Sequence, residues 1–185
     1  MQPRAQPPKR SWLFSKSRIA LHKILISCRY QSVPKPFYEQ AYALINQAPV
    51  MPYSIMVLSA LAQNMRNSQC NSVAPNELSH LIQSAYTNPS LNHKPLYKSV
   101  LYHIEAGLAL LKNDIPHTRE LLLQSYYIYP RRLDSLIQKA YIEMGQGMLT
   151  EAATTIQMVH DNATDARVSS QTVEQLDAAF KRSQL

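Results

Sequence analysis

The chain has 185 residues, of which 45% are hydrophobic and 17% charged: enough apolar material for a buried core, and too little charge for a wholly disordered chain. Its three glycines, Gly107, Gly145 and Gly147, cannot build a G-x-G-x-x-G or P-loop phosphate cradle, and they disfavour a barrel or sandwich with its many tight turns. The formal net charge of +7 gathers at one end: residues 1–38 hold eight basic side chains and no acidic one, and the rest is close to neutral, so nucleic-acid binding by the body is not expected.

Residues 1–10, MQPRAQPPKR, read as an extended basic arm. The following segment, 11–31, places Ala20, Leu21, Ile24, Leu25 and Cys28 on one side of a helical wheel. Lys16 and Lys23 flank that side, with Arg18, His22 and Arg29 opposite them. Three readings stay open. The segment is the first helix of the fold with a solvated basic side. Or it is an amphipathic helix on an anionic membrane surface, with Trp12, Leu13 and Phe14 as interfacial anchors and Lys16, Arg18 and Lys23 at the headgroups. Or it is a mitochondrial-type targeting peptide. Prolines and charges interrupt it, so it does not read as a secretory signal. The expected organisation is a basic arm and amphipathic helix over 1–33, then a helical body over 34–185.

The body reads as helices punctuated by proline. Spans 37–48, 53–66, 76–86, 96–112, 116–128, 133–145, 150–160 and 171–182 carry apolar residues at helical spacing. Pro52, Pro75 and Pro116 suit first-turn positions, and Pro49, Pro89 and Pro130 end the preceding helices. Segment 90–96 reads as a loop. No convincing alternating strand is found, and no apolar run approaches the ~20 residues of a bilayer span.

A period of 34 relates Ala106 to Ala140, Leu108 to Ile142, Asn113 to Gly147, Ile115 to Leu149, Thr118 to Ala152, Leu122 to Ile156 and Ser125 to Val159. Residues 81–89 and 122–130 also match, in Leu, Gln, Ser, Tyr and a closing Pro. A helix hairpin cannot bury both its helices alone, so it stacks on its next copy, and small residues mark the close approaches. On these residues the chain resembles the tetratricopeptide repeat (TPR) family, best over 99–166 and weakly over 53–89. Tyr102, Leu136, Glu105, Lys139 and Asn113 depart from that family's usual residues, and Thr164 stands where its closing proline would be. The resemblance implies an all-α fold: a right-handed α-solenoid of antiparallel helix hairpins, closed by a capping helix at 171–182.

It also implies a groove lined by the first helix of each hairpin, at His103, Gly107 and Leu110 and then Ile137, Tyr141 and Met144. A mix of aromatic, methionine and aliphatic residues suits a partner peptide or helix. Tyr86 and Tyr127 recur with the repeat and are expected to be structural. The Cys70–Ser72 loop, Ala74-Pro75, Asn88-Pro89, the Tyr/His-rich helix 97–111 and the Asn113-Asp114 turn follow in an order that is also similar to another group. That group is the soluble C-terminal TPR-like region of O-antigen polymerase or ligase-like membrane proteins. This second resemblance implies an accessory of bacterial surface polysaccharide assembly, not the enzyme.

No catalytic pattern is legible. The six histidines, His22, His80, His93, His103, His117 and His160, show no metal-ligand spacing and read as surface or capping residues. The acidic residues are scattered, and no G-x-S-x-G elbow exists. Cys28 and Cys70 are too few for a disulfide framework or a structural zinc site, and they suit a reducing compartment. Asn162-Ala163-Thr164 matches a glycosylation sequon of a kind that arises often by chance. The expectation is a non-enzymatic scaffold or adaptor for a protein partner, without cofactor or metal. It would be cytoplasmic, with a peripheral inner-membrane contact as the alternative.

Overall fold

The computed structural model describes residues 19, 21–24, 36, 39–43, 52–66 and 75–185. Among these residues the fold is all-α, with no strand. The helices are α1 (Pro52–Arg66), α2 (Pro75–Thr87), α3 (Pro95–Leu111), α4 (Ile115–Ile128), α5 (Asp134–Gly145), α6 (Leu149–Asn162) and α7 (Ser170–Ser183). A 3-10 turn, Pro89–Leu91, occupies part of the expected 90–96 loop, and α3 starts at Pro95. Of the expected 37–48 helix, residues 39–43 are helical and the remainder lies outside the described residues. Cys28 and Cys70 also lie outside them.

The helix starts follow from local chemistry. Pro52, Pro75 and Pro95 stand first in α1, α2 and α3, where a missing N–H costs nothing. The Asp114 carboxylate accepts from the His117 N–H at 3.2 Å and caps α4, and the Ser169 hydroxyl accepts from the Thr172 N–H at 3.2 Å and caps α7. α5 and α6 have no side-chain cap, but Asp134 and Glu151 in their first turns face the positive end of the helix dipole.

The chain forms two compact units, Met1–Tyr97 and Lys98–Leu185. In the first, α1 buries Ile55, Leu58, Leu61 and Ala62, and α2 buries Leu78, Leu81, Ile82 and Ala85. Both sets follow i, i+3, i+4 spacing, and the two helices are in contact. Leu21, Ile24 and Ala41 are buried as well. Each such leucine or isoleucine contributes about 1.5–3 kcal/mol on burial.

In the second unit, Ala106 and Ala109 of α3 pack with Leu121 and Leu122 of α4, joined by Tyr102 and by Ile142 of α5. A larger cluster unites Tyr126, Leu133, Leu136, Ala140, Ile156, Val159 and Leu176, so α4, α5, α6 and α7 share one core. α5 packs on both α4 and α6, and α7 packs on both α6 and α5. Ala106, Thr118, Ser125, Ala140 and Ala152, the small residues of the repeat, are all fully buried.

The two hairpin turns share one hydrogen-bond pattern. Asp114 N–H donates to Ala109 C=O at 3.0 Å, and 34 residues later Met148 N–H donates to Glu143 C=O at 2.9 Å. Asn113 N–H donates to Leu110 C=O at 2.9 Å, and Gly147 N–H to Met144 C=O at 3.1 Å. Between these bonds sit Asn113 at φ 58° and Gly147 at φ 71°, both left-handed. This is the paired 6→1 and 5→2 closure that ends a helix in a left-handed residue, and glycine and asparagine bear that conformation best. No other heavy atom would approach a Cβ built at Gly147 within 4 Å, so the backbone alone sets the cost of a side chain there. Gly147→Ala and Asn113→Ala are each expected to lower stability by about 1 kcal/mol in urea titrations. A neutral Asn113→Ala beside a costly Gly147→Ala would show that the two turns are not equivalent.

Candidate functional site

The expected groove residues do not share one environment. On α5, Ile137 and Met144 are half-buried against the large core cluster, while the Tyr141 ring between them is 46% exposed. On α3, Gly107 is buried, Leu110 is half-buried, and His103 is half-buried. Tyr127, expected to be structural, is 64% exposed; its neighbour Tyr126 is the one that enters the core. The one-residue offset turns the ring about 100° around the helix axis and out of the cluster.

His103 is not simply a surface histidine. Its Nδ1 lies 2.9 Å from Ser135 Oγ on α5. Ser135 Oγ lies 2.8 Å from Ser125 Oγ on α4, and Ser125 Oγ lies 3.0 Å from Ser99 Oγ and 2.8 Å from the Ser99 carbonyl on α3. All three serines are fully buried. The carbonyl can only accept, so Ser125 spends its single proton there. Ser99 and Ser135 must then each donate to Ser125 Oγ. With the Ser135 proton used, His103 must donate through Nδ1–H. One proton order therefore satisfies every contact and ties α3, α4 and α5 together.

The histidine, serine and Asp134 do not form a nucleophilic triad. Asp134 Oδ2 stands 3.9 Å from the same Nδ1 that meets Ser135, and Ser135 has no route to solvent. Asp134 pairs instead with Arg132, which places that arginine against the start of α5.

A second polar cluster centres on Glu143, which is fully buried. Its Oε1 accepts from Arg119 Nε at 2.9 Å and Nη2 at 2.7 Å, and from Lys139 Nζ at 2.7 Å. Its Oε2 accepts from Thr155 Oγ1 at 2.7 Å, and Thr155 Oγ1 in turn accepts from Lys139 Nζ at 2.7 Å. The cluster spans α4, α5 and α6. Burial pushes the Glu143 carboxyl up, but the hydrogen bonds from Lys139, Thr155 and Arg119, with the Lys139 charge, outweigh it and hold the group below its ordinary value. On α3, burial and then the Glu105 carboxylate push the Tyr102 phenol up.

Sequence reasoning missed Glu143 as a centre. The signal was present: Leu136, Ala140 and Glu143 lie on one helix face, so a carboxylate on an apolar stripe, with Lys139 four residues before it, pointed to a buried pair.

Trp12, Lys16 and Arg18, the proposed membrane-surface residues, lie outside the described residues. Lys23 and His22 are exposed, whereas Leu21 and Ile24 are fully buried. At those two positions the apolar side of the segment is covered by protein. No helix among the described residues is long and apolar enough to cross a membrane. Among the same residues no cluster of three or more His, Cys, Asp or Glu could hold a metal ion. The Asn162 amide donates to the Met158 carbonyl at 2.9 Å, which folds this side chain of the sequon back onto α6.

Comparison with protein families, curated proteins and solved structures returns no match.

Proposed function

We propose that this chain is a non-enzymatic scaffold or adaptor, built as a TPR-like right-handed α-solenoid, that holds a protein partner against the face of α5 bearing Tyr141. The exposure of Tyr141 between two core-anchored neighbours carries the reading. An aromatic ring on a rigid helix loses little entropy on binding, and such rings dominate recognition surfaces. The 34-residue recurrence of turn bonds and buried small residues supports stacked hairpins as the frame. The glycan-assembly alternative draws no support from a segment whose Leu21 and Ile24 are already covered.

A photo-crosslinking amino acid placed at position 141 tests this in cells, with position 153 on the exposed side of α6 as control. The expected result is one protein cross-linked through 141 and not through 153, and lost to competition by unlabelled wild type but not by Tyr141→Ala. Indistinguishable labelling from the two positions would sink the proposal.

A further inference from the structure

Asp134, Gln138, Tyr141 and Gly145 recur at helical spacing along one side of α5, and Tyr141 and Gly145 stand one turn apart there, both exposed. Nothing inside the second unit explains a glycine at 145. Its φ is not left-handed, and a Cβ built on it would meet no other heavy atom within 4 Å. Glycine is a poorer helix former than alanine, so the position forgoes stability that a methyl group would restore. The repeat does not require a small residue there either, since Leu111 holds the same place 34 residues earlier. The result is a projecting ring with an open gap one turn further on.

A ring and a gap on one helix face are self-complementary. When two α5 helices lie antiparallel with Tyr141 of one opposite Gly145 of the other, Gly145 of the first is opposite Tyr141 of the second, the reciprocity that a two-fold axis demands. The charge on this side selects the same direction. Asp134 is the charged residue among the four, and it is paired with Arg132. Parallel helices would set two Asp134 carboxylates side by side. The antiparallel pair, crossing at the level of residue 143, separates them by about 27 Å along the axis, against a screening length of about 8 Å.

We propose that this side of α5 pairs antiparallel with the same side of a second copy, each Tyr141 ring seated over the other copy's Gly145. This rests on the reading of Tyr141 as the recognition residue and names its partner. Two helices of 12 residues bury less than a standard stable interface does, so the pair is weak and transient.

Sedimentation velocity of the full chain over a concentration series tests this. Wild type should sediment faster as concentration rises. Tyr141→Ala removes the ring and Gly145→Tyr fills the gap, so each should raise the dissociation constant at least about tenfold. An equimolar mixture of these two variants restores a small residue opposite each ring and should associate as wild type does. Should Gly145→Tyr lose helical signal, Gly145→Glu decides, by the same tenfold weakening from a carboxylate set against the tyrosine face. A wild type that stays monomeric throughout overturns the proposal, as does association that the substitutions leave unchanged or a mixture that fails to recover. In those cases a different protein captured by the cross-linker at position 141 would keep the adaptor reading, and no capture there would sink both.

Discussion

Replacing Glu143 by glutamine is expected to lower the stability of the second unit by about 3 kcal/mol, because a buried pair broken from one side leaves its partner charges uncompensated. The side chains of Lys139 and Arg119 are 11% and 25% exposed. Neither can recover full hydration without leaving its packing, although Arg119 recovers more and keeps the loss at the low end. Replacing the whole set with apolar residues of similar size, Arg119→Leu, Lys139→Met, Glu143→Leu and Thr155→Val together, should return stability to within about 1 kcal/mol of wild type. The pH dependence has a definite sign. The carboxyl lies below its ordinary value of 4.5 when folded, so its contribution is present above that pH and disappears as acid protonates it in the folded state. Wild type should therefore lose stability on acidification below 4.5 more steeply than Glu143→Gln. Urea titrations followed by far-UV circular dichroism at neutral and acid pH measure both effects. A loss under about 1 kcal/mol for Glu143→Gln would mean that the cluster is no stronger than a surface ion pair.

Ala140→Leu is expected to cost about 2–3 kcal/mol, since added methylenes in a packed interior force off-rotamer side chains and shift the backbone. Ala140 is fully buried on α5, which packs between α4 and α6. Ala106→Leu should cost a similar amount, because Ala106 holds the same place 34 residues earlier and is equally buried. Ala153→Leu, on the exposed side of α6, should stay within about 0.5 kcal/mol of wild type. For a unit of this size the first two losses are drops of roughly 10–20 °C in melting temperature. Thermal melts of the three variants read this directly. A tolerant Ala140→Leu would mean that the interior near α5 can open to admit a larger side chain.

Much of the helical layout was legible because it rests on local chemistry. Proline fixes φ and lacks a donor, so Pro52, Pro75 and Pro116 marked helix starts to within a residue. Apolar spacing then gave the buried faces of α1 and α2, and the 34-residue comparison located the small residues that lie buried in the second unit. The misreadings share a different cause. Whether Glu143 is a solvated charge or a buried one depends on Arg119 and Thr155 arriving from other helices, and no local window contains them. His103 read as a surface residue because its partner, Ser135, lies on α5, the second helix after its own. Tyr127 matched Tyr86 in the repeat comparison, yet packing selected Tyr126 for the core. The environments of the expected groove residues were not legible either: Ile137, Tyr141 and Met144 share a helix, yet Ile137 and Met144 pack on the core while Tyr141 is exposed.

The backbone closure of the two hairpin turns has a practical corollary. The bonds that end α3 and α5 run from main-chain donors to main-chain acceptors, and the side chains of Lys112 and Gln146 point into solvent. What each turn demands of its sequence is a left-handed residue at 113 and at 147, and little of the residue before it. Lys112 and Gln146 are therefore natural handles: a dye or affinity tag attached at either would label the α3–α4 or the α5–α6 turn while leaving Tyr141 untouched.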